Sequence, residues 1–341
     1  MIATPFEPEN AELLARLEPR LEVVFEPELA GPTGIAPGGV GARFEPTPEQ
    51  QRAFEELVDS ADALLGVPRG SGKALARTVR ANPRLRWVHT IPAGGGQQVR
   101  AARLEPEELQ RIVFTTSAGV HAEALAEFAL FGVLAGLKQL GRMRTEQAAH
   151  EWGGFRSMGL VSRSTVLVVG LGSIGRATAA KLSALGAHVV GIHRRPVEAP
   201  GVAEVRPVEE LADAAAGADA IVLALPGTDA TVGMLSAEVL AAVKPGVTVV
   251  NVGRGTTVDE PALIAALQDG RVGAAVLDVT AVEPLAPESP LWDIPGVLIS
   301  PHTAAIAGGE ERAIAELVAD NARRLLDGEP LRNVVDTVEF Y

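Results

Sequence analysis

The chain has 341 residues, 47% of them hydrophobic, which is enough for two domains with cores of their own. Its formal charge of −13 argues against nucleic acid or an anionic membrane as a general partner. The absence of cysteine excludes disulfides, thiolate metal sites and a cysteine nucleophile, and no metal site is expected.

The stretch MIATPFEPEN is acidic and proline-bearing, unlike a signal peptide, and no uncharged apolar run reaches membrane-spanning length. A soluble, cytoplasmic protein is therefore expected. Residues 1–48 are rich in Pro and Glu, with a short strand expected at Glu22–Phe25 and a glycine-rich loop, GPTGIAPGGVG, at Gly31–Gly41. Thr47-Pro-Glu-Gln50 has the spacing of a capping box with proline at the first helical position, so a helix opens there. Strand-like runs follow at Ala63–Val67, Leu85–Ile91 and Arg111–Thr116, with helical patterns at Lys73–Arg80 and Gln97–Arg103. This alternation predicts a parallel sheet with helices on its faces. Within it, GVPRGSGKAL at Gly66–Leu75 suggests a nucleotide phosphate loop. The spacing rejects that reading: Val67 stands where the leading glycine belongs, and Ala74 follows Lys73 in place of Ser or Thr.

A long apolar helix is expected over Ala122–Arg142, with Gly132 and Gly136 suited to close packing. After the polar, glycine-bearing stretch Glu151–Ser164 a second series begins. Its strands are expected at Val166–Gly170, Ala187–Ile192, Ala220–Leu225, Thr248–Val252, Ala274–Val279 and Val297–Ser300. Helical stretches separate them at Ile174–Leu185, Val208–Ala216, Ala237–Ala242 and Glu260–Asp269, and a last helix runs over Gly309–Leu326. Near-continuous apolar strands such as VLVVG and AIVLAL fit a sheet covered on both sides. Two α/β sheets are predicted, the second between about residue 120 and residue 300.

The second series opens on Gly170-Leu-Gly172-Ser173-Ile174-Gly175, between a strand and a helix. In that context each glycine has its own function. Gly170 permits the tight turn, Gly172 the close approach of a pyrophosphate, and Gly175 close helix–strand packing. The amides at the helix start face the phosphates. At the end of the next strand an acid would hold the ribose of NAD, but the chain reads His193-Arg194-Arg195. Guanidinium forks suit a 2′-phosphate instead, which favours NADP(H) over NAD(H); the competing reading is that Arg194 and Arg195 are solvated loop residues.

Reduction of a carbonyl by hydride transfer requires a group to orient the substrate, a proton donor and a partner that tunes the donor. Three loops after predicted strands offer these. Arg254 lies between Gly253 and Gly255, where its fork can meet a carboxylate. Glu283 follows Asp278 on the next loop, and His302 comes after an apolar strand and Pro301. A carboxylate beside a histidine favours its charged, proton-donating form.

The segments FTTSAGVHAEALAEFAL, VLVVGLGSIGR, VVNVGRGTTVDE, LDVTAVEP and SPHTAA, in this order, make the chain from about Leu85 to Asn333 resemble the D-isomer-specific 2-hydroxyacid dehydrogenase family. The resemblance implies a Rossmann nucleotide-binding domain at 119–300, inserted into a flavodoxin-like, doubly wound substrate domain made of 1–118 and 301–341. It implies His302 as acid/base, Glu283 as its partner, and Arg254 on the substrate carboxylate. Asp278 would hold the nicotinamide amide. The cofactor set would comprise Gly170, Gly172, Ser173, Ile174, Gly175, His193, Arg194, Arg195, Leu225, Pro226, Thr231, Val252, Gly253, Asp278 and His302. The loop Ala93, Gly94, Gly95, Gly96 would offer amides to the substrate carboxylate, and a homodimer would be the assembly.

The chain also departs from the family pattern. Its substrate loop, HTIPAGGGQQV, has Gln97 or Gln98 in the region where an acid is common, and Phe128 stands where His is common, in a packing role. His193-Arg194-Arg195 resembles the NADP-preferring glyoxylate and hydroxypyruvate reductase branch, whereas Glu283 argues against the formate dehydrogenase branch, expected to carry Gln there. Trp152 falls in the segment that reaches a partner subunit in this family, or is an ordinary hydrophobic anchor. The expected function is reduction of a small 2-oxo acid, such as glyoxylate or hydroxypyruvate, to the D-2-hydroxy acid with NADP(H), or with NAD(H). The alternatives are a cofactor-sensing, corepressor-like binding protein, or the same fold acting on a bulky 2-keto acid or phosphite.

Overall fold

The structure, a computed structural model, describes residues 1–31 and 44–340; the expected loop Gly31–Gly41 lies outside them apart from Gly31. The chain forms two compact units, Met1–Val120 with Gly308–Tyr341, and His121–Ala307.

In the first unit, strands β1 (Ala63–Leu65), β2 (Trp87–Thr90) and β3 (Val113–Thr116) pair in parallel in the order β1-β2-β3. Ile2 extends the sheet beside β1 through a parallel bridge to Leu65, and its N–H donates to Val24 O at 2.9 Å. Counting these segments, the order across the sheet is second, first, third, fourth, fifth, the flavodoxin-like order. The expected strand Glu22–Phe25 is therefore in place but forms no ladder of its own. It is an extended segment that Pro27 ends by starting a helical turn, Pro27–Ala30. Side chains alternate across the sheet as strand geometry requires. Leu64, Val88 and Phe114 pack with Phe54, Val58, Leu75 and Val79 on one face. Leu65 and Trp87 pack with Leu14, Ile314 and Val318 on the other.

Proline organises the helices of this unit. Thr47 caps helix Pro48–Ser60 with both halves of the capping box, as expected. Helices Pro8–Leu17 and Pro106–Arg111, not expected from the pattern, also open with proline in the first turn, where the missing N–H costs nothing.

The second unit carries β4 (Thr165–Val169), β5 (His188–Ile192), β6 (Glu204–Arg206), β7 (Ala220–Leu223), β8 (Val247–Asn251), β9 (Val272–Leu277) and β10 (Val297–Ile299). All pairings are parallel, in the order β10-β9-β8-β7-β4-β5-β6. This is the doubly wound order with its reversal between β4 and β7, where such sheets bind ligands at the carboxyl ends of their strands. The central strands β4 and β7 are almost wholly buried under two apolar layers. The edge strand β6 was not expected; Glu-Val-Arg carries no apolar run.

The helix expected over Ala122–Arg142 is two helices, Ala122–Leu137 and Leu140–Ala148, bent by 63°. Gln139 adopts a left-handed conformation at the break. The first helix lies against β8. A Cβ on Gly136 would stand 2.0 Å from Thr248 Oγ1, so only glycine permits the approach. Among the described residues no single helix is long and apolar enough to cross a membrane.

Candidate active site

The glycine turn joins β4 to helix Ser173–Ala184. Gly170 takes φ +96°, and its N–H donates to Ile192 O at 2.9 Å. A Cβ on Gly175 would lie 1.8 Å from Gly170 O, so helix Ser173–Ala184 meets β4 at contact distance. Among the described residues nothing lies within 4 Å of where a Cβ on Gly172 would stand, and no side chain caps the helix. The free amides and open space at this helix start fit a pyrophosphate.

His193 continues the site at the end of β5. Its N–H donates to Arg206 O, and its Nδ1 accepts from Leu171 N–H at 3.4 Å. The same Leu171 residue is held through its carbonyl as well, where Arg176 Nε donates to Leu171 O at 2.9 Å. Burial lowers the pKa of His193, and the charges of Arg176, Arg194 and Arg195 lower it further. Three guanidiniums thus act on one ring beside the turn, and this local field suits an anion. Arg176 gives no signal in the sequence; it reads there as one more helix residue.

The loops after β7 and β8 press together backbone to backbone. A Cβ on Gly253 would lie 2.5 Å from Leu225 O. Thr231 Oγ1 donates to Pro226 O at 2.6 Å and fixes the β7 loop, while Val252 is buried with its N–H on Leu223 O. Arg254 sits in this turn. Its carbonyl accepts from Asn251 Nδ2 at 3.0 Å and Thr257 Oγ1 at 2.6 Å, and its own Nη1 donates to Gly253 O at 2.7 Å. Among the described residues no carboxylate pairs with Arg254, so most of its fork is available to an anion. Asn251 and Thr257, which fix its backbone, give no signal in the sequence.

The acid pair forms on the next two loops. His302 Nδ1 lies 2.8 Å from Glu283 Oε2; a carboxylate only accepts, so Nδ1 carries the hydrogen. Glu283 Oε1 accepts from Thr280 N–H at 3.2 Å. His302 has φ +56°, a left-handed conformation that is strained for a residue with a Cβ. Asp278 holds it there. Its carbonyl accepts from His302 N–H, and its buried Oδ1 accepts from Thr303 N–H and Ala304 N–H, each at 2.9 Å. The second unit therefore gathers Arg254, Asp278, Glu283, His302 and the glycine turn on loops that follow strands of one sheet.

Ala93, Gly94, Gly95 and Gly96 belong to the first unit, in the turn after β2 that leads into helix Gly96–Ala101. Gly95 packs on Thr90, whose Oγ1 would be 1.7 Å from an added Cβ. Beneath this turn lies a buried polar network. His89 Nδ1 is 2.8 Å from Thr115 Oγ1, His89 Nε2 is 3.1 Å from Ser117 Oγ, and Trp87 Nε1 donates to Thr115 Oγ1 at 2.8 Å. Burial lowers the pKa of His89 to about 4. Gln97 is exposed, whereas Gln98 has a buried Oε1 with no hydrogen-bond partner among the described residues. Phe128 packs in the apolar layer under β4, and Trp152 and Phe155 are fully exposed.

Comparison with known proteins adds to this geometry. Residues 130–304 match the family model described as D-isomer specific 2-hydroxyacid dehydrogenase, NAD binding domain. The chain is 34% identical over 319 residues to a D-3-phosphoglycerate dehydrogenase of Mycobacterium leprae, covering 92% of this chain but 58% of that one. It thus spans little more than half the length of that relative. It is 32% identical over 222 residues to glyoxylate/hydroxypyruvate reductase A of Serratia proteamaculans, covering 63% of this chain and 69% of that one. The fold is similar to that of an NADPH-dependent glyoxylate/hydroxypyruvate reductase from Sinorhizobium meliloti solved with NADP and sulfate. That match has a TM-score of 0.77 at 27% identity and covers 100% of this chain and 98% of that one.

Proposed function

We propose that this chain, which belongs to the D-isomer-specific 2-hydroxyacid dehydrogenase family, is a reductase of small 2-oxo acids that prefers NADP(H) to NAD(H). Glyoxylate and hydroxypyruvate are the substrate type, and the product is the D-2-hydroxy acid. The observation that carries the reading is the 2.8 Å contact between His302 and Glu283, on loops beside the turn that presents Arg254.

The unit His121–Ala307 is the nucleotide domain in this reading, and the other unit, with the turn Ala93–Gly96, is the substrate domain. The boundaries expected from the sequence, at 119 and 300, fall a little before the unit limits. Gly170–Gly175 would hold the pyrophosphate, with Arg176, Arg194 and Arg195 on the 2′-phosphate. Asp278, whose second oxygen makes no bond to the loop, would hold the nicotinamide amide, and Leu225, Pro226, Thr231, Val252 and Gly253 would line the cofactor. When bound, the reduced nicotinamide supplies the hydrogen and electron pair that reduce the carbonyl carbon. Arg254 orients the substrate through its carboxylate and polarises the carbonyl. His302 gives the Nε2 proton to the forming alkoxide, while Glu283 on Nδ1 keeps the ring oriented. A homodimer fits the two fully exposed aromatic side chains, Trp152 and Phe155.

The test is NADPH oxidation, followed by absorbance, with a panel of glyoxylate, hydroxypyruvate, 3-phosphohydroxypyruvate and a branched 2-keto acid. Turnover strongest with the two small acids supports the reading, and turnover strongest with another acid moves the substrate. NADPH binding without turnover of any of them favours a cofactor-sensing protein instead.

A further inference from the structure

We propose that Glu260 is a positioning residue for the His302–Glu283 pair: its carboxylate anchors the loop that carries Glu283 to the segment that carries Arg254. The inference rests on the proposed function, in which that pair moves the proton.

Glu283 needs such an anchor because its loop is irregular and partly solvated. Residues 278–289 form no helix or strand, and Val282, next to Glu283, is largely exposed. Most polar contacts near the acid are local to the loop. Thr280 N–H donates to Glu283 Oε1, and Thr280 Oγ1 donates to Val282 O at 2.9 Å. Such bonds shape a loop but do not fix it in space. The bond that ties this part of the loop to the segment after β8 comes from Ala281 N–H, which donates to Glu260 Oε2 at 2.9 Å across a separation of 21 residues.

The opposite end of the same peptide group is also fixed. Thr280 O lies 1.9 Å from where a Cβ on Gly255 would stand, so the Arg254 turn rests directly on that carbonyl. The Thr280–Ala281 peptide is thus clamped at its oxygen by Gly255 and at its nitrogen by Glu260. Both clamps come from the segment that follows β8, the one that carries Arg254. The proton donor and the substrate grip therefore share one frame.

An acid at position 260 has an ordinary explanation as well. Glu260 is the first residue of helix Glu260–Gln268, where a negative charge suits the helix dipole. Capping, however, is already done by Asp259, whose side chain accepts from Ala262 N–H at 3.1 Å. Among the described residues no cation pairs with Glu260. Its carboxylate is left to reach Ala281, and the two roles make opposite predictions. A dipole role needs the charge and tolerates Asp. A positioning role needs an acceptor oxygen at the right length and tolerates neutral Gln.

The experiment is nitrogen NMR of the histidine rings in the 15N-labelled full chain at alkaline pH, where the imidazoles are neutral. The His302 signals are identified by their loss in His302→Gln. In the wild-type chain the major tautomer carries hydrogen on Nδ1, because Glu283 accepts it. Glu283→Ala sets the reference for an unpositioned ring, with hydrogen mainly on Nε2. We expect Glu260→Asp and Glu260→Ala to shift His302 from the first pattern to the second, and Glu260→Gln to keep the first. The proposal is overturned if Asp keeps the wild-type tautomer, or if Gln loses it. The Asp and Gln substitutions differ little from Glu in size, so the result does not depend on Glu260→Ala folding. This readout needs neither cofactor nor substrate. A wild-type chain inactive on every 2-oxo acid would sink the reductase reading while leaving the tautomer result standing.

Discussion

Acidification from pH 7 to pH 4 is expected to weaken the first unit by roughly 3 kcal/mol through His89 alone. The ring is fully buried on β2, and burial holds its pKa at about 4 instead of 6.5. In the unfolded chain the ring takes up a proton near pH 6.5; in the folded chain it does so only near pH 4. Between those values the unfolded state binds more protons, so stability rises with pH there and falls as acid is added. The stabilisation is complete above 6.5 and is lost progressively down to 4. Each pKa unit is worth about 1.36 kcal/mol, and a gap of about 2.5 units (6.5 less 4) gives the figure above. Other groups titrate in the same range, so the measurement is a difference. Urea unfolding of the parent and of His89→Gln is followed by the fluorescence of buried Trp87, in a background where exposed Trp152 and Trp292 are replaced by Phe. The stability advantage of the parent over the Gln variant should shrink by roughly 3 kcal/mol from pH 7 to pH 4. Parallel pH curves for the two proteins would refute the argument. The same network underlies the Ala93–Gly96 turn, so acid should loosen that turn before the sheet itself.

Replacing Arg194 and Arg195 by Ser should weaken NADPH far more than NADH. Hydrogen bonds to charged groups are worth about 1.5–3 kcal/mol each, so a loss of at least tenfold per arginine is expected in a fluorescence titration, and equal losses for both cofactors would remove the phosphate pocket. His302→Ala should lower kcat on the order of 100-fold or more and leave the Kd for NADPH unchanged; undiminished turnover would end its role as proton donor. Gly175→Ala places a methyl 1.8 Å from Gly170 O and should abolish binding of both cofactors, which calorimetry would report; retained affinity would mean that the helix start is not the cofactor cradle.

Much of the nucleotide unit was legible because its signals are local. VLVVG and AIVLAL are apolar on both faces since β4 and β7 are covered on both faces, and Gly170, with its positive φ, and Gly175, against the Gly170 carbonyl, each answer a steric demand in the turn. The break at Gln139 was not legible. Glutamine favours helix, and the left-handed kink is held by distant groups: Gln139 Nε2 on Ser157 O and Lys138 Nζ on Gly159 O. The N-terminal helices were hidden for the opposite reason, since proline and glutamate read as loop unless each proline is taken as a first helical residue. At the site, residue types and order pointed to Arg254, Glu283 and His302. The contact between the last two spans nineteen residues of loop and strand, a closure that no periodicity encodes. Arg176 and Glu260 look in the sequence like ordinary helical charges, and only their bonds to Leu171 and Ala281 set them apart.

The glycines on either side of Arg254 restrict how this scaffold can be altered. A methyl on Gly253 would meet the Leu225 carbonyl, and one on Gly255 would meet that of Thr280. Neither flank can drift to a larger residue without moving a neighbouring loop. Redesign beside the arginine therefore has little room, whereas in the turn proposed to meet the substrate Gln97 is solvent-facing and Gln98 Oε1 has no hydrogen-bond partner among the described residues.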